Sequence, residues 1–471
     1  VPQEYCAPGF IPTKTEAGFG VTPGTAESYG ALVDGAYVDT LETALSIVKK
    51  DGTIKLLKNV DGNFTIAKAL TLDLNGFTIN GSTGERKPAL TVTARVVTVK
   101  DSSEAQTGTI MREDTKENSG VSSHYVIDVQ GNGWLKFESG NVINNSGAGG
   151  TKGASLVRVG DDSVAKYPGL VINGGSFRQD NFIAIKVERG YLTLNDGTIT
   201  SKNSYAIENW FSATIKGGTV NGTVASWTYS GGSNSTTTIN GGTINGNVNS
   251  VNYGNADGRT AKVTISGGTV NGELDTRSYD PTTNELTSID DAAKASIGVT
   301  GGTFSKDPTK YVVEGSSVTT NSDGTFGVEK AYLAKVGETS YYTMDEAFHA
   351  AVASGETLYL LRNYTTKAVQ NSGSKRFTID LNGFTWTYTG TDTNCAAFEI
   401  NYADVTLTVT NGKIVSNSMI GLIPSAMGGT IKYDNSSLTF ENVEMTTTAT
   451  SGIETNGNNT NDSVTLKNST L

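Results

Sequence analysis

Few residues of this 471-residue chain are equipped for proton or metal chemistry. Two aspartate doublets stand out, Asp161-Asp162 and Asp290-Asp291. Paired carboxylates are what glycoside hydrolysis needs, and clustered carboxylates also suit calcium. A histidine base has two candidate positions, His124 and His349. Asp73 and Asn75 in LTLDLNGFTI, with Asp380 and Asn382 in FTIDLNGFTW, offer further oxygen ligands. An outward aspartate beside an Asn-Gly turn needs no ion, however, and Asp290-Asp291 falls in TSIDDAAK, which reads as an excursion loop. Structural roles are therefore expected for all of these carboxylates, with no catalytic residue, metal or cofactor. Cys6 and Cys395 lie in segments that do not correspond, so neither a metal cluster nor a disulfide framework is expected.

What must position any site is a repeat. ATIKGGTVNGTV, TTTINGGTINGNV and KVTISGGTVNGEL share one register. Counted from the first glycine of each pair (Gly217, Gly241, Gly267), apolar residues fall two places before (Ile215, Ile239, Ile265), three after (Val220, Ile244, Val270) and seven after (Val224, Val248, Leu274). Alternation around a fixed glycine pair predicts short half-buried strands joined by sharp bends. Successive pairs are 24 and 26 residues apart, and the pattern continues upstream at Gly174 and Asp196 and downstream at Gly301. A fixed period of this length is the mark of a solenoid; strand pairs and a bend in each repeat predict an all-β parallel β-helix. Stacking places Asn221, Asn245 and Asn271 in one column at a bend, where each amide can bond the next.

A second column carries the binding expectation. Tyr229, Tyr253 and Tyr279 all lie twelve places after the glycine, on the outward face, and Trp227 at plus ten shares that face. An exposed aromatic ladder can stack sugar rings or anchor a protein. Intervals of 34 residues (Gly267 to Gly301) and 35 residues (Ser139 to Gly174) each leave room for a loop of roughly ten extra residues, where binding commonly resides.

Composition excludes other classes. Net charge is −11, and no basic stripe exists to neutralise phosphates, so nucleic acid is not expected as a partner. No apolar run approaches the roughly 18 residues of a membrane span.

The chain also repeats on a larger scale. VPQEYCAPGFIPTKTEAGFGV pairs with DPTKYVVEGSSVTTNSDGTFGV, Pro2 matching Pro308, Tyr5 matching Tyr311, Gly9 matching Gly315 and Val21 matching Val328. TLETALSIVKKDG at Thr40 matches TMDEAFHAAVASG at Thr343, each an amphipathic helix with a threonine N-cap, and Glu346 supplies a capping box in the second. A helix before the first coil is expected to act as a lid on exposed strand edges. The expected domains are residues 1–28, a β-hairpin linker following a preceding module; 29–305, a first β-helix module with its helix at about 40–51; 306–329, a second hairpin linker; and 330–471, a second, truncated module with its helix at about 343–354.

The lid helix, the LDLNG first coil, the GGTF closing coil and the YxxxG…GTFGV hairpin together resemble modular, adhesin-like cell-surface proteins of Gram-positive gut bacteria built on pectate-lyase-like β-helices. The resemblance covers nearly the whole chain and implies right-handed coils: two tandem right-handed parallel β-helices, each with an N-terminal capping α-helix, joined by a β-hairpin. It also implies a non-catalytic protein on the bacterial cell wall that presents a surface to a host glycan or host glycoprotein, immunoglobulin included; a monomer is expected. Polysaccharide lyases and glycoside hydrolases share that fold and form the rival class, with Asp161 and Asp162 as the best acids. The histidine-glycine and RIK motifs that accompany such a doublet in polygalacturonase-like hydrolases are missing. A third reading makes the solenoid a purely structural stalk.

Overall fold

The computed structural model describes the chain except residues 1–4, 7–9, 16–17, 25–27, 82–86, 113–124, 145–154, 181, 229–232, 255–257, 372, 374–375, 393, 425–431 and 456–457. It forms two compact units, Val1–Val312 with Val318–Val328, and Val313–Ser317 with Glu329–Leu471. Among the described residues strands dominate, with two α-helices, Leu41–Ile47 (α1) and Met344–Ser354 (α2). Neither helix is long and apolar enough to cross a membrane.

In the first unit each pass of the chain adds strands to long parallel ladders. Ile215, Ile239, Ile265 and Val299 stand in register in one ladder. Val220, Ile244, Val270 and Phe304 stand in a second, and Val224, Val248 and Leu274 in a third. The three apolar positions of the sequence repeat thus occupy three ladders, even where one strand carries two of them, as Thr219–Trp227 carries Val220 and Val224 and Ala261–Val270 carries Ile265 and Val270. All but the half-buried Leu274 are closed to solvent and belong to one core. Strand alternation turns the intervening residues away from it.

The glycine pairs have two separate jobs. A Cβ at Gly241 would lie 2.3 Å from the carbonyl oxygen of Lys216 in the preceding pass, so the first glycine permits close backbone stacking. Gly242 has φ +80°, so the second permits the bend. At the same corner Asn245 donates to Asn221 Oδ1, and Asn271 to Asn245 Oδ1, each at 2.8 Å. Asp73 and Asp380 also serve turns: Asp73 accepts from the amides of Asn75 and Ser102, and Asp380 from the amide of Asn382. Asp73 is 3% exposed, more buried than an outward position suggests, because these amides desolvate it.

Helix α1 follows its N-cap Thr40, which accepts the Thr43 amide, and buries Leu41 and Ala44. It stops short of the expected residue 51 because Val48 leaves helical geometry (ψ 133°) and sends its side chain into the core. Helix α2 runs closer to expectation, ending at Gly355 in the left-handed region (φ 76°). Its Glu346 carboxylate accepts the Thr343 hydroxyl at 2.9 Å, a variant of the capping box. Residues 326–328 return antiparallel onto the strand Ala295–Phe304, pairing Val328 with Gly302 and Phe326 with Phe304.

The second unit repeats the plan. Ile379, Val409 and Phe440 stand in one parallel ladder, and Trp386, Ile414 and Met445 in another. Its core is separate.

Candidate functional site

The outward face of the third ladder carries an unusual concentration of charge. Upstream of the glycine-pair repeats, Asp128, Arg158, Lys186 and Glu208 occupy consecutive passes in direct register. Their strand neighbours Ile127, Val129, Ile185 and Val187 face the core, so period-two alternation turns the charged residues outward. The outer pairs, Asp128 with Arg158 and Lys186 with Glu208, are of opposite sign and stabilise the column, while Glu188 pairs with both of the adjacent cations Arg158 and Lys186.

Arg158 grips Asp128 through two bonds, Nε to Oδ1 at 3.0 Å and Nη2 to Oδ2 at 2.7 Å. Its guanidinium also lies 4.8 Å from the Tyr125 ring centre, with Asp161 at 3.3 Å and Glu188 at 3.7 Å. Burial works against the Arg158 charge, but the bonds to Asp128 more than offset it, and the guanidinium is held above its ordinary pKa. Lys186 Nζ pairs with Glu188 at 2.9 Å and sits 4.2 Å from the Trp210 ring centre. Trp210 in turn donates its indole N–H to Glu208 Oε1 at 2.7 Å. Burial pushes the Glu208 carboxyl up; Lys186 and the Trp210 bond pull the other way, while Glu188 adds to the rise.

Beyond Glu208 opens a cleft of about 360 Å³ whose walls include Tyr205, Trp227, Tyr253 and Tyr279. Their rings support one another at steep angles. Tyr205 and Trp227 meet at 88° with centres 5.9 Å apart, and Trp227 and Tyr279 at 64° and 5.7 Å. Tyr253 and Tyr279, direct partners in the ladder, lie 5.2 Å apart. Burial pushes the Tyr205 phenol up to about 12. The indole N–H of Trp227 is buried and finds no acceptor among the described residues. One wall comes from the long interval before Gly301: Glu285–Ser288 folds back antiparallel onto Leu274–Asp280 and brings Leu286 to the cleft. Tyr279 closes that hairpin by donating its hydroxyl to Asn284 at 2.7 Å.

No protein-family model, curated protein or solved structure matches this chain.

Three of the four aromatic residues singled out by spacing, Trp227, Tyr253 and Tyr279, are therefore at one cleft, each half-buried. Tyr229 and His124 lie outside the described residues. Trp227 pairs with Val251, two places along the strand from Tyr253, so the rings form a cluster and not a single stacked column. Lys186, Tyr205, Glu208 and Trp210 escape the spacing argument. Continuing the plus-twelve count two repeats upstream, from Gly174 and Asp196, lands on Lys186 and Glu208. They do not join the tyrosine column, because residues inserted between Thr200 and Ile207 shift the register and pair Glu208 with Ala225, at plus eight.

Asp161, Asp162 and Glu188 come within 4.8 Å of one another through their carboxylate oxygens and could hold a cation. Arg158, however, is already paired with two of them. Asp161 is also bonded by the amide and hydroxyl of Ser163, and these bonds hold its carboxyl below the usual range. Asp291 caps the Ala293 amide and pairs with Lys294 at 3.2 Å, and Asp290 is exposed. His349 is exposed on α2, where Nδ1 is 3.4 Å from Asp345. The second unit has a more open hollow of about 460 Å³ beside Asn371, Tyr402 and Lys432, all three exposed.

Proposed function

We propose that this chain is a non-catalytic extracellular binding protein of a bacterial cell surface, whose aromatic cleft receives part of a host glycan or glycoprotein. The observation that carries this reading is the cleft itself: Trp227, Tyr253 and Tyr279 converge from successive passes around a space of monosaccharide size, with Tyr205 and the Glu208 carboxylate on its wall. Amphipathic rings beside a hydrogen-bond acceptor suit a sugar, which presents apolar faces and hydroxyl edges. Within this reading the parallel ladders are two tandem right-handed β-helices, the handedness following the family resemblance. Helices α1 and α2 close the starts of the two coils, a role supported by their apolar residues joining the two cores.

The test is binding of the full chain to glycan and host-glycoprotein arrays, followed by calorimetry on any hit. Replacing Trp227, Tyr253 and Tyr279 together by alanine abolishes binding if the cleft is the site. Retained affinity in that variant rules it out.

One observation favours a second, enzymatic reading: the convergence of Asp161, Asp162 and Glu188. Hydrolases need two carboxyl groups about 5 to 10 Å apart flanking the scissile bond, so on this reading Arg158 must release Asp161 and Glu188 before a sugar enters between them. Release of new reducing ends or unsaturated products from acidic polysaccharides, abolished by Asp161→Asn with Asp162→Asn, would establish it in place of the first.

A further inference from the structure

The ring geometry and the charge of the cleft narrow its ligand. A sugar ring stacks best on one broad flat face, but the rings here meet at 88° and 64° and line the cleft from several directions. Aromatic walls set at steep angles are suited to a compact cation, which is attracted to each ring face it approaches. The chain already uses this chemistry next door, where Lys186 Nζ sits 4.2 Å from the centre of Trp210. The Lys186 charge is matched by Glu188 at 2.9 Å. Glu208 lines the cleft, accepting the Trp210 indole N–H with Lys186 beside it in the ladder. An anionic ligand group would meet this carboxylate and be repelled. The volume of about 360 Å³ admits a substituted ammonium with its attached chain or a single amino sugar.

We propose that the ligand group entering this cleft is an organic ammonium ion, held by the rings of Trp227, Tyr205, Tyr253 and Tyr279 against the carboxylate of Glu208. This rests on the cleft being the ligand site, and specifies what part of the ligand enters it.

The experiment is a tryptophan-fluorescence titration of the full chain with four small probes. Choline and glucosamine supply the positive charge; 3,3-dimethylbutan-1-ol and N-acetylglucosamine are their neutral counterparts. Saturation by choline, glucosamine or both, with the matching neutral compound weaker by about tenfold or more, is expected, since a desolvated cation–π contact is worth more than the roughly 1.4 kcal/mol that tenfold represents. Choline alone would identify a quaternary ammonium substituent, and glucosamine an amino sugar; each supports the proposal. Glu208→Gln keeps the shape of the wall and should weaken the cation by a similar factor while leaving circular dichroism unchanged. Neutral probes binding as tightly as the cations, or Glu208→Gln binding choline like the parent, overturn the proposal. If neutral glycans bind and lose affinity in the triple aromatic variant while neither cation titrates, the proposal falls and the glycan-binding reading stands. Silence from all four probes together with empty arrays removes both.

Discussion

Glu208 accepts the indole N–H of Trp210 at 2.7 Å from two residues along the same stretch of chain. That bond anchors a carboxylate which burial would otherwise expel, and it places the charge at the edge of the aromatic cleft.

Stability should respond to pH through this group. A carboxyl whose pKa is raised by burial holds its proton longer in the folded chain than in the unfolded one. Its contribution is complete below the ordinary glutamate value and is lost as pH rises towards the raised one. Denaturant titrations across that window should show parent stability falling with pH relative to Glu208→Gln, and parallel curves would refute the assignment.

The Arg158–Asp128 pair should be costly to break on one side. Asp128 is 2% exposed, and Arg158→Met would leave its carboxylate buried without its bidentate partner. A loss of about 3 to 5 kcal/mol is expected from chemical denaturation. Replacing Asp128 by Asn together with Arg158→Met should recover part of it.

Asp101 predicts the opposite pH dependence from Glu208. Burial opposes its charge, but the amides of Ser103, Gly108 and Gly76 outweigh burial and hold the carboxyl below the usual range. The stability it contributes is present above the ordinary aspartate value and is lost as pH falls through the lowered one. Asp101→Asn should therefore cost about 1 to 3 kcal/mol at pH 7 and progressively less in acid. An equal loss at pH 7 and pH 3 would contradict this.

At the bends, the backbone should matter more than the asparagine column. Asn245→Ala removes two exposed amide bonds and should cost about 1 kcal/mol. Gly241→Ala forces a methyl to within 2.3 Å of the Lys216 carbonyl and should cost about 1 to 3 kcal/mol, with the higher melting temperature left to Asn245→Ala. The reverse order would show that the ladder of amides, and not close stacking, holds the passes together.

Much of this protein could be read from residue order alone. The three apolar positions around each glycine pair, the asparagine column and the two helix starts depend on strand alternation, helix period and capping, all local properties of the chain. Trp227, Tyr253 and Tyr279 were legible for the same reason, as outward residues at even spacing. The cleft they share was not, because contacts between passes depend on stacking register, and the few residues inserted between Thr200 and Ile207 displace everything after them. Only the folded chain sets Glu208 beside the rings, folds 285–288 back to supply Leu286, and tilts Trp227 against Tyr205. Spacing along a strand decides which face a side chain takes; which neighbours it finds there is decided by how the passes align.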